Sequence, residues 1–379
     1  MIKRNKIISL LLLIMVLTLA ACTKPVSTME PAPEKQGTPS VPVTKPSEKE
    51  KVMPKEALYV CHYTTNQVAV IDLATGETVK EIPVGAKPIA LIKSPDEKYV
   101  YVANSGSGDV YKISTASGEI EAKIAIGNQP VAMTLNATGD ILYVLDYYLN
   151  RVSIVNLNLR SMVGFYPLNT FGFEERIEPL DCCSDIFGEP MGAGRKPSAL
   201  ALDEARGKIY VGNMGTWDIA VIDIREEKEV ETFNATFGIN EMIFVGSDNN
   251  RLVVSAAGNE IDINNFILSM DLKGGGNIDK LQVGEKPVSI ASSPDGSVIY
   301  VVTENDRKLW GLKSENGKII GSCELKGQPG DVVLSRDGGK AYIADLLGGT
   351  IFVVDTGDYT IWDNIQAGVT PKALVYVNN

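Results

Sequence analysis

A phrase of about 42 residues recurs from Tyr59 to the C-terminus. A fixed period of that length restricts a chain to a stack or ring of like units. The phrase has three fixed points. The first is a Gly-x-x-Pro turn. The second is a Ser-Pro-Asp-Gly-like turn six residues after the Pro, and the third a Tyr-Val-x-Asn-like strand thirteen residues after it. Pro88 leads in this way to Tyr101, Pro130 to Tyr143, Pro197 to Tyr210, Pro287 to Tyr300 and Pro329 to Tyr342. A degenerate copy runs from Glu241 to Val254 at the same spacing, which puts Glu241 where the other units have Pro.

One unit shows what the phrase encodes. IALIKS (89–94) is a short apolar run after a Pro, suited to a buried strand. SPDEK (94–98) is a turn with Pro and Asp in favoured places. KYVYVAN (98–104) is aromatic and β-branched, VYKIS (110–114) alternates, and IEAKIAI (120–126) supplies a fourth strand. Gly- and Ser-rich turns separate them. No stretch after residue 56 has a 3.6-residue apolar period, so almost no helix is expected. Four short strands per unit at this period predict an all-β, seven-bladed β-propeller. Six blades begin near Gly85, Gly127, Gly194, Gly238, Gly284 and Gly327. The seventh is split: ALYVCHY (57–63) lacks a strand before it, and GVTPKALVYVNN (368–379) lacks strands after it. Joining the two closes the ring and removes the open sheet edge.

The repeated text closely resembles the YVTN-repeat family of bacterial and archaeal propellers. YVAN (101–104), YVGN (210–213), AVIDLATG (69–76), GAKP (85–88), GEKP (284–287) and SPDG (293–296) carry the resemblance. It covers nearly all of the chain after residue 56. It implies the propeller fold and a cell-surface or periplasmic setting, and it implies no particular chemistry.

The N-terminus points to the same setting. A basic MIKRNK is followed by an apolar run, IISLLLLIMVLTLA, and then by Leu19-Ala20-Ala21-Cys22. The run is short of the roughly 20 apolar residues that a membrane-spanning helix needs. Small residues before a Cys read as a lipoprotein signal over 1–21, with Cys22 as the lipidated new N-terminus. Residues 22–56 then form a Pro-rich tether, with Pro31, Pro33, Pro39, Pro42 and Pro46 among polar residues. Such a composition offers no apolar surface to bury and predicts an extended spacer. Residues 57–379 are the propeller. Removal of the signal takes away Lys3, Arg4 and Lys6, so the net charge moves from −11 to −14. An acidic body with no clustered Lys and Arg argues against nucleic acid and against adsorption to anionic lipid.

The blade spacing locates one insertion. Val68–Gly85 and Val110–Gly127 each span the last two strands and reach the next turn. The same count from Val152 ends at Asn169, yet the next turn opens at Gly194, so residues 170–193 are extra. The insertion joins blades three and four and contains Phe171, Phe173, Phe187 and the adjacent Cys182 and Cys183. A loop of this length is expected to be functional or disordered. Neighbouring Cα atoms are 3.80 Å apart, below the disulfide range of roughly 4.4–6.8 Å. A vicinal disulfide would therefore be strained, and reduced thiols remain the other reading. A metal role lacks partners, because His62 is the only histidine.

Connections between blades share a face with the loops between second and third strands. On that face the exposed candidates are Tyr63, Tyr147, Tyr148, Trp217, Asp218, Glu260, Asp262, Glu304 and Asp306. Aromatic rings over polar groups suit a sugar, a peptide or a protein surface. Ordinary turn chemistry explains the Asp and Asn residues equally well. His62 occupies the place of Asn104, Asp146, Asn213 and Asp345 in other blades, which reads as a strand-end cap. Residues two and four after each Pro, such as Ala90, Ala199, Ser289, Asp331 and Val375, form one face of the inner strands and are expected to line a bland channel. No nucleophile–base pair, metal set or cofactor motif emerges. The favoured reading is a lipid-anchored extracytoplasmic binding or scaffolding module. It would act as a monomer on a protein or polysaccharide partner, with the membrane reached through the lipid alone. A propeller hydrolase, lyase or cofactor-binding enzyme with its site on the insertion face is the alternative, and a structural surface component is a third.

Overall fold

The computed structural model describes residues 52–168, 195–246, 248–258 and 263–379. Cys22, Phe171, Phe173, Cys182 and Cys183, together with Glu260 and Asp262, lie outside the described residues. The described residues form 28 strands, β1–β28, and no helix. They assemble into seven four-stranded antiparallel sheets. Blade 2 illustrates the pattern, with strands Pro88–Lys93, Tyr99–Asn104, Asp109–Ser114 and Ile120–Ala125 in chain order from axis to rim. Each inner strand contacts the inner strands of both neighbouring blades, so the sheets form a closed ring.

Blade 1 is the composite one. Pro371–Asn378 (β28) pairs antiparallel with Glu56–His62 (β1), which continues to Gln67–Asp72 (β2) and Glu77–Pro83 (β3). The register runs from Glu56 opposite Asn378 to His62 opposite Pro371. Beyond the ladder, the Asn379 amide donates to the Lys55 carbonyl at 2.7 Å and the Asn378 amide to Glu97 Oε2 at 2.7 Å. The C-terminal strand thus binds both its own blade and the Ser-Pro-Asp turn of the next.

The core is seven seams between blades. Successive residues of a strand project to opposite faces, and here each face meets a different neighbour. Val100 and Val102 pack in the seam between blades 1 and 2, while Tyr101 packs between blades 2 and 3. Ile209 and Val211 pack toward blade 3, while Tyr210 packs toward blade 5. This explains why the second strand of a blade has no polar face and reads as a continuous apolar run.

Two expectations need correcting. The inner strands do not turn one whole side-chain face to the channel. Ala199 and Ala201 are buried in the seam between blades 4 and 5, and Val375 is buried between blades 1 and 2. In blade 2 residues of both faces, Ala90, Leu91 and Ile92, are partly exposed, so the two faces share the inner rim. The second correction concerns blade 5. Ile239, not Glu241, takes the place of Pro, since Ile239 pairs with Ala256 as Pro197 pairs with Asn213. The turn at 246–250 is one residue longer than its counterpart at 204–207, which displaces the thirteen-residue spacing. Glu241 therefore occupies the position of Ala90, Ala132, Ala199, Ser289, Asp331 and Ala373.

Deleting residues 368–379 from the full-length protein should unpair Glu56–His62 and open the ring. Loss of the cooperative thermal transition, or aggregation, is expected by calorimetry. An unchanged melting profile would contradict closure by this strand.

Candidate binding face

Two sets of loops meet on one face, and backbone bonds join them. The Ser105 amide donates to the Lys87 carbonyl, Tyr147 to Gln129, Met214 to Lys196, Glu304 to Lys286 and Leu346 to Gln328, each at 2.9 Å. In these five blades the turn after the second strand is therefore fixed to the connection entering the same blade. Strand-end caps stiffen these turns. Asn104 Nδ2 donates to Asp109 at 2.9 Å, and Asn213 Nδ2 donates to Asp218 at 2.6 Å. Asp146 accepts from the Asn128 and Leu149 amides, and Asp345 from those of Gln328, Leu347 and Gly348. His62, buried, places Nδ1 2.7 Å from the Val369 carbonyl, so the lone histidine serves the same capping place.

The aromatic candidates divide on this scaffold. Tyr147 is buried in the seam between blades 3 and 4, and its ring meets that of Tyr148 edge-on at 5.3 Å. Tyr148 itself is 49% exposed and Trp217 on the adjacent blade is 42% exposed. Tyr63 lies on blade 1, away from that pair, with the Lys87 ammonium 5.9 Å from its ring centre. Asp218 faces inward: besides Asn213 it lies 3.9 Å from Arg195 Nη1, and Arg195 Nη2 contacts Glu229 at 2.8 Å. All three of these charged side chains are largely buried.

Within the turns after the second strands, the backbone sets two residues apart. In six blades the last residue of the turn after the second strand has φ in the left-handed region: Asn66, Gly108, Asn150, Trp217, Arg307 and Gly349. Gly and Asn suit that conformation. Trp217 at φ 55 and Arg307 at φ 52 do not, and such a placement costs about 1 kcal/mol or more.

Arg307 lines a cleft of about 770 Å³ between blades 6 and 7. Glu285, Glu304, Lys326, Gln328 and Asp345 share its wall, and Leu347 stands exposed at its rim. Glu304 bridges Lys286 and Gln328, each at 3.0 Å. Glu304 was among the sequence candidates. Arg307, Lys326 and Gln328 were not, because they belong to two separate loops and match ordinary turn residues. A large side chain in a slot held elsewhere by Gly or Asn was the available signal for Arg307. Among the described residues no group of three or more His, Cys, Asp or Glu is placed to hold a metal ion.

The inner ends of the seams are not uniformly apolar. Glu241 of blade 5 accepts from Ser289 Oγ at 2.8 Å and from the Ile290 amide at 2.9 Å, both through Oε2. Ser289 Oγ also lies 3.1 Å from Asp331 Oδ1 of blade 7. Asp331 accepts the Val332 amide at 2.9 Å, and through Oδ2 the Leu374 amide of blade 1 at 2.7 Å. Burial, with the Asp331 charge second, pushes the Glu241 carboxyl up to about 8. Burial raises Asp331 as well, against its backbone and Ser289 bonds and the Lys372 charge. The sequence pattern had Ser289 and Asp331 on a face open to the lumen and Glu241 in the place of Pro, so it could not show that Glu241 and Asp331, on blades that are not adjacent, meet through Ser289.

Solved structures define the class as a seven-bladed β-propeller. A chain of hydrazine synthase from Kuenenia stuttgartiensis is similar with a TM-score of 0.65 at 15% identity, over 84% of this chain and 99% of that one. A functionally unknown protein from Desulfotomaculum acetoxidans DSM 771 gives 0.67 at 13% identity, over 85% and 99%. Dihydro-heme d1 dehydrogenase NirN in complex with DHE gives 0.59 at 14%, over 87% of this chain and 66% of that one. At such identities the likeness extends to the fold alone. No protein-family model matches the sequence, and no curated protein does.

Arg195 anchors the chain where it re-enters blade 4. Arg195→Ala should remove a largely buried guanidinium from beside Glu229 and Asp218 and lower the unfolding free energy by about 3 kcal/mol. Urea denaturation measures this. A loss within error of zero would mean that the pair is solvent-screened.

Proposed function

We propose that this chain is a YVTN-repeat-type propeller lipoprotein, lipidated at Cys22 and held outside the cytoplasm on a Pro-rich tether. Its loop face binds another extracytoplasmic macromolecule, a protein or polysaccharide. The observation that carries the binding role is Trp217. It is a half-exposed aromatic in a backbone conformation that its own residue type disfavours. Tyr148, half-exposed on the adjacent blade, is a second exposed aromatic in the same class of turn. Exposed aromatics on rigid turns supply apolar area and a hydrogen-bonding tip with little side-chain entropy to lose, the common currency of sugar and protein recognition. Loops on a rigid ring are where such groups are carried.

Two independent readouts test the proposal. Labelling with a fatty-acid analogue should mark the wild type and leave Cys22→Ser unmarked, with the variant released from the membrane fraction; equal labelling would discard the lipid site. For binding, purified full-length protein is incubated with envelope extract and crosslinked. Tyr148→Ala with Trp217→Ala should lose the crosslinked partner at unchanged melting temperature. Loss instead on replacing Asp295, in the Ser-Pro-Asp turn on the opposite face, would place binding on the wrong side of the ring for this proposal.

A further inference from the structure

Ser289 stands between two carboxyl groups and owns one hydroxyl hydrogen. Glu241 Oε2 is 2.8 Å from its Oγ and Asp331 Oδ1 is 3.1 Å away. If both acids were ionised, the hydroxyl could donate to only one of them. The other contact would set an oxygen lone pair against a negative oxygen, relieved on the Asp331 side only by the shared Val332 amide hydrogen. One further hydrogen resolves the contact, and the surrounding donors determine where it sits. Asp331 already accepts backbone hydrogens from Val332 and Leu374, which is the pattern of an ionised carboxylate. Glu241 accepts one backbone hydrogen, from Ile290. With the extra hydrogen on Glu241, the set runs in one direction: Glu241 donates to Ser289 and Ser289 donates to Asp331. The one Val332 amide hydrogen is shared, 2.9 Å from Asp331 Oδ1 and 3.2 Å from Ser289 Oγ measured from the nitrogen, and meets the remaining lone pair of Ser289.

We propose that Glu241, Ser289 and Asp331 form a proton-dependent clasp that ties the inner strands of blades 5, 6, 7 and 1 together and weakens when Glu241 ionises. The clasp joins elements far apart in sequence: Glu241 holds Ser289 and Ile290 in blade 6, and Asp331 holds Leu374 in the closing strand. Ionisation would place two negative charges on one hydroxyl across two blade seams. Few neighbours can offset them. Strand Pro287–Ser292, between the two acids, carries no titratable side chain. In strand Pro197–Asp203 the only one is Asp203, at the opposite end and bonded to Arg206. In strand Arg251–Ala256 it is Arg251, at the far end of the ladder from Ser255. Lys372 on the closing strand favours ionised Asp331, and Cys61 behind it is held as a thiol by burial first and by the Asp331 charge after it. Ser255, paired directly opposite Glu241, is fully buried and its Oγ has no hydrogen-bond partner, so it does not hold the Glu241 carboxyl in this arrangement.

The direction of the pH effect follows from linkage. Glu241 holds its proton more tightly in the folded ring than the ordinary value of 4.5, up to about 8. The stabilisation is complete below pH 4.5 and is lost as pH rises through 8. The test is thermal and urea unfolding of full-length wild type, Glu241→Gln and Asp331→Asn from pH 5 to 9.5, each with and without calcium chloride. Relative to Glu241→Gln, the wild-type unfolding constant should rise by up to about tenfold per pH unit between those limits. Glu241→Gln keeps a hydrogen for Ser289 and should match or exceed the wild type at pH 9. Asp331→Asn cannot accept from all its donors and should be destabilised at every pH, or fail to fold, while Glu241→Gln alone decides the pH dependence. Parallel wild-type and Glu241→Gln curves would overturn the proposal. So would Glu241→Gln being the less stable at pH 9. Restoration of the wild type by calcium at pH 9 would show that a cation, not a proton, balances the pair.

Discussion

Everything in this molecule depends on the pairing of Pro371–Asn378 with Glu56–His62. A propeller blade is not stable by itself, because both faces of its sheet are apolar and must be covered by neighbours. In a linear array the two end blades would each expose a face, and the incomplete blade would expose an edge as well. Closure converts seven mutually dependent sheets into a ring in which every seam is filled. Tyr59 and Leu58 show this at the junction. They are adjacent in one strand, and Tyr59 packs toward blade 2 while Leu58 packs toward blade 7. The strand that makes the closure thus also carries the last seam.

The same geometry explains what could be read from the chain. The period, the four strands per unit and the split blade follow from turn residues and apolar runs, which act locally. Pro88, Tyr101 and Asn104 occupy their expected places because each serves its own blade. Blade 5 departs from the pattern because one extra turn residue at 246–250 preserves a plausible spacing from Glu241 to Val254 while shifting the true register. The channel departs for a different reason. A two-residue period shows that a strand has two faces, but not that both share the inner rim, and sheet orientation relative to the ring axis is a global property.

The binding face was partly legible. Trp217 and Tyr148 stand out as large aromatics in turn segments, and the structure leaves both half-exposed, whereas Tyr147 beside them is core. Nothing local separates Tyr147 from Tyr148; only the seam between blades 3 and 4 does. The cleft around Arg307 and the contact of Glu241 with Asp331 through Ser289 are formed by residues from different blades, and no spacing rule links them. Function in such a ring depends on which turns carry unusual residues, and the ring itself supplies rigidity without specifying chemistry.

Residue-resolved hydrogen exchange of the intact protein tests closure most directly. In strand Glu56–His62, amides 57–61 lie between the closing strand and Gln67–Asp72. They should exchange only through global unfolding, at the same slow rate as amides 100–103 in the continuous blade 2. Exchange of 57–61 by a fast local opening, with 100–103 still protected, would show that the C-terminal strand is a loose addition and that the ring is held by something else.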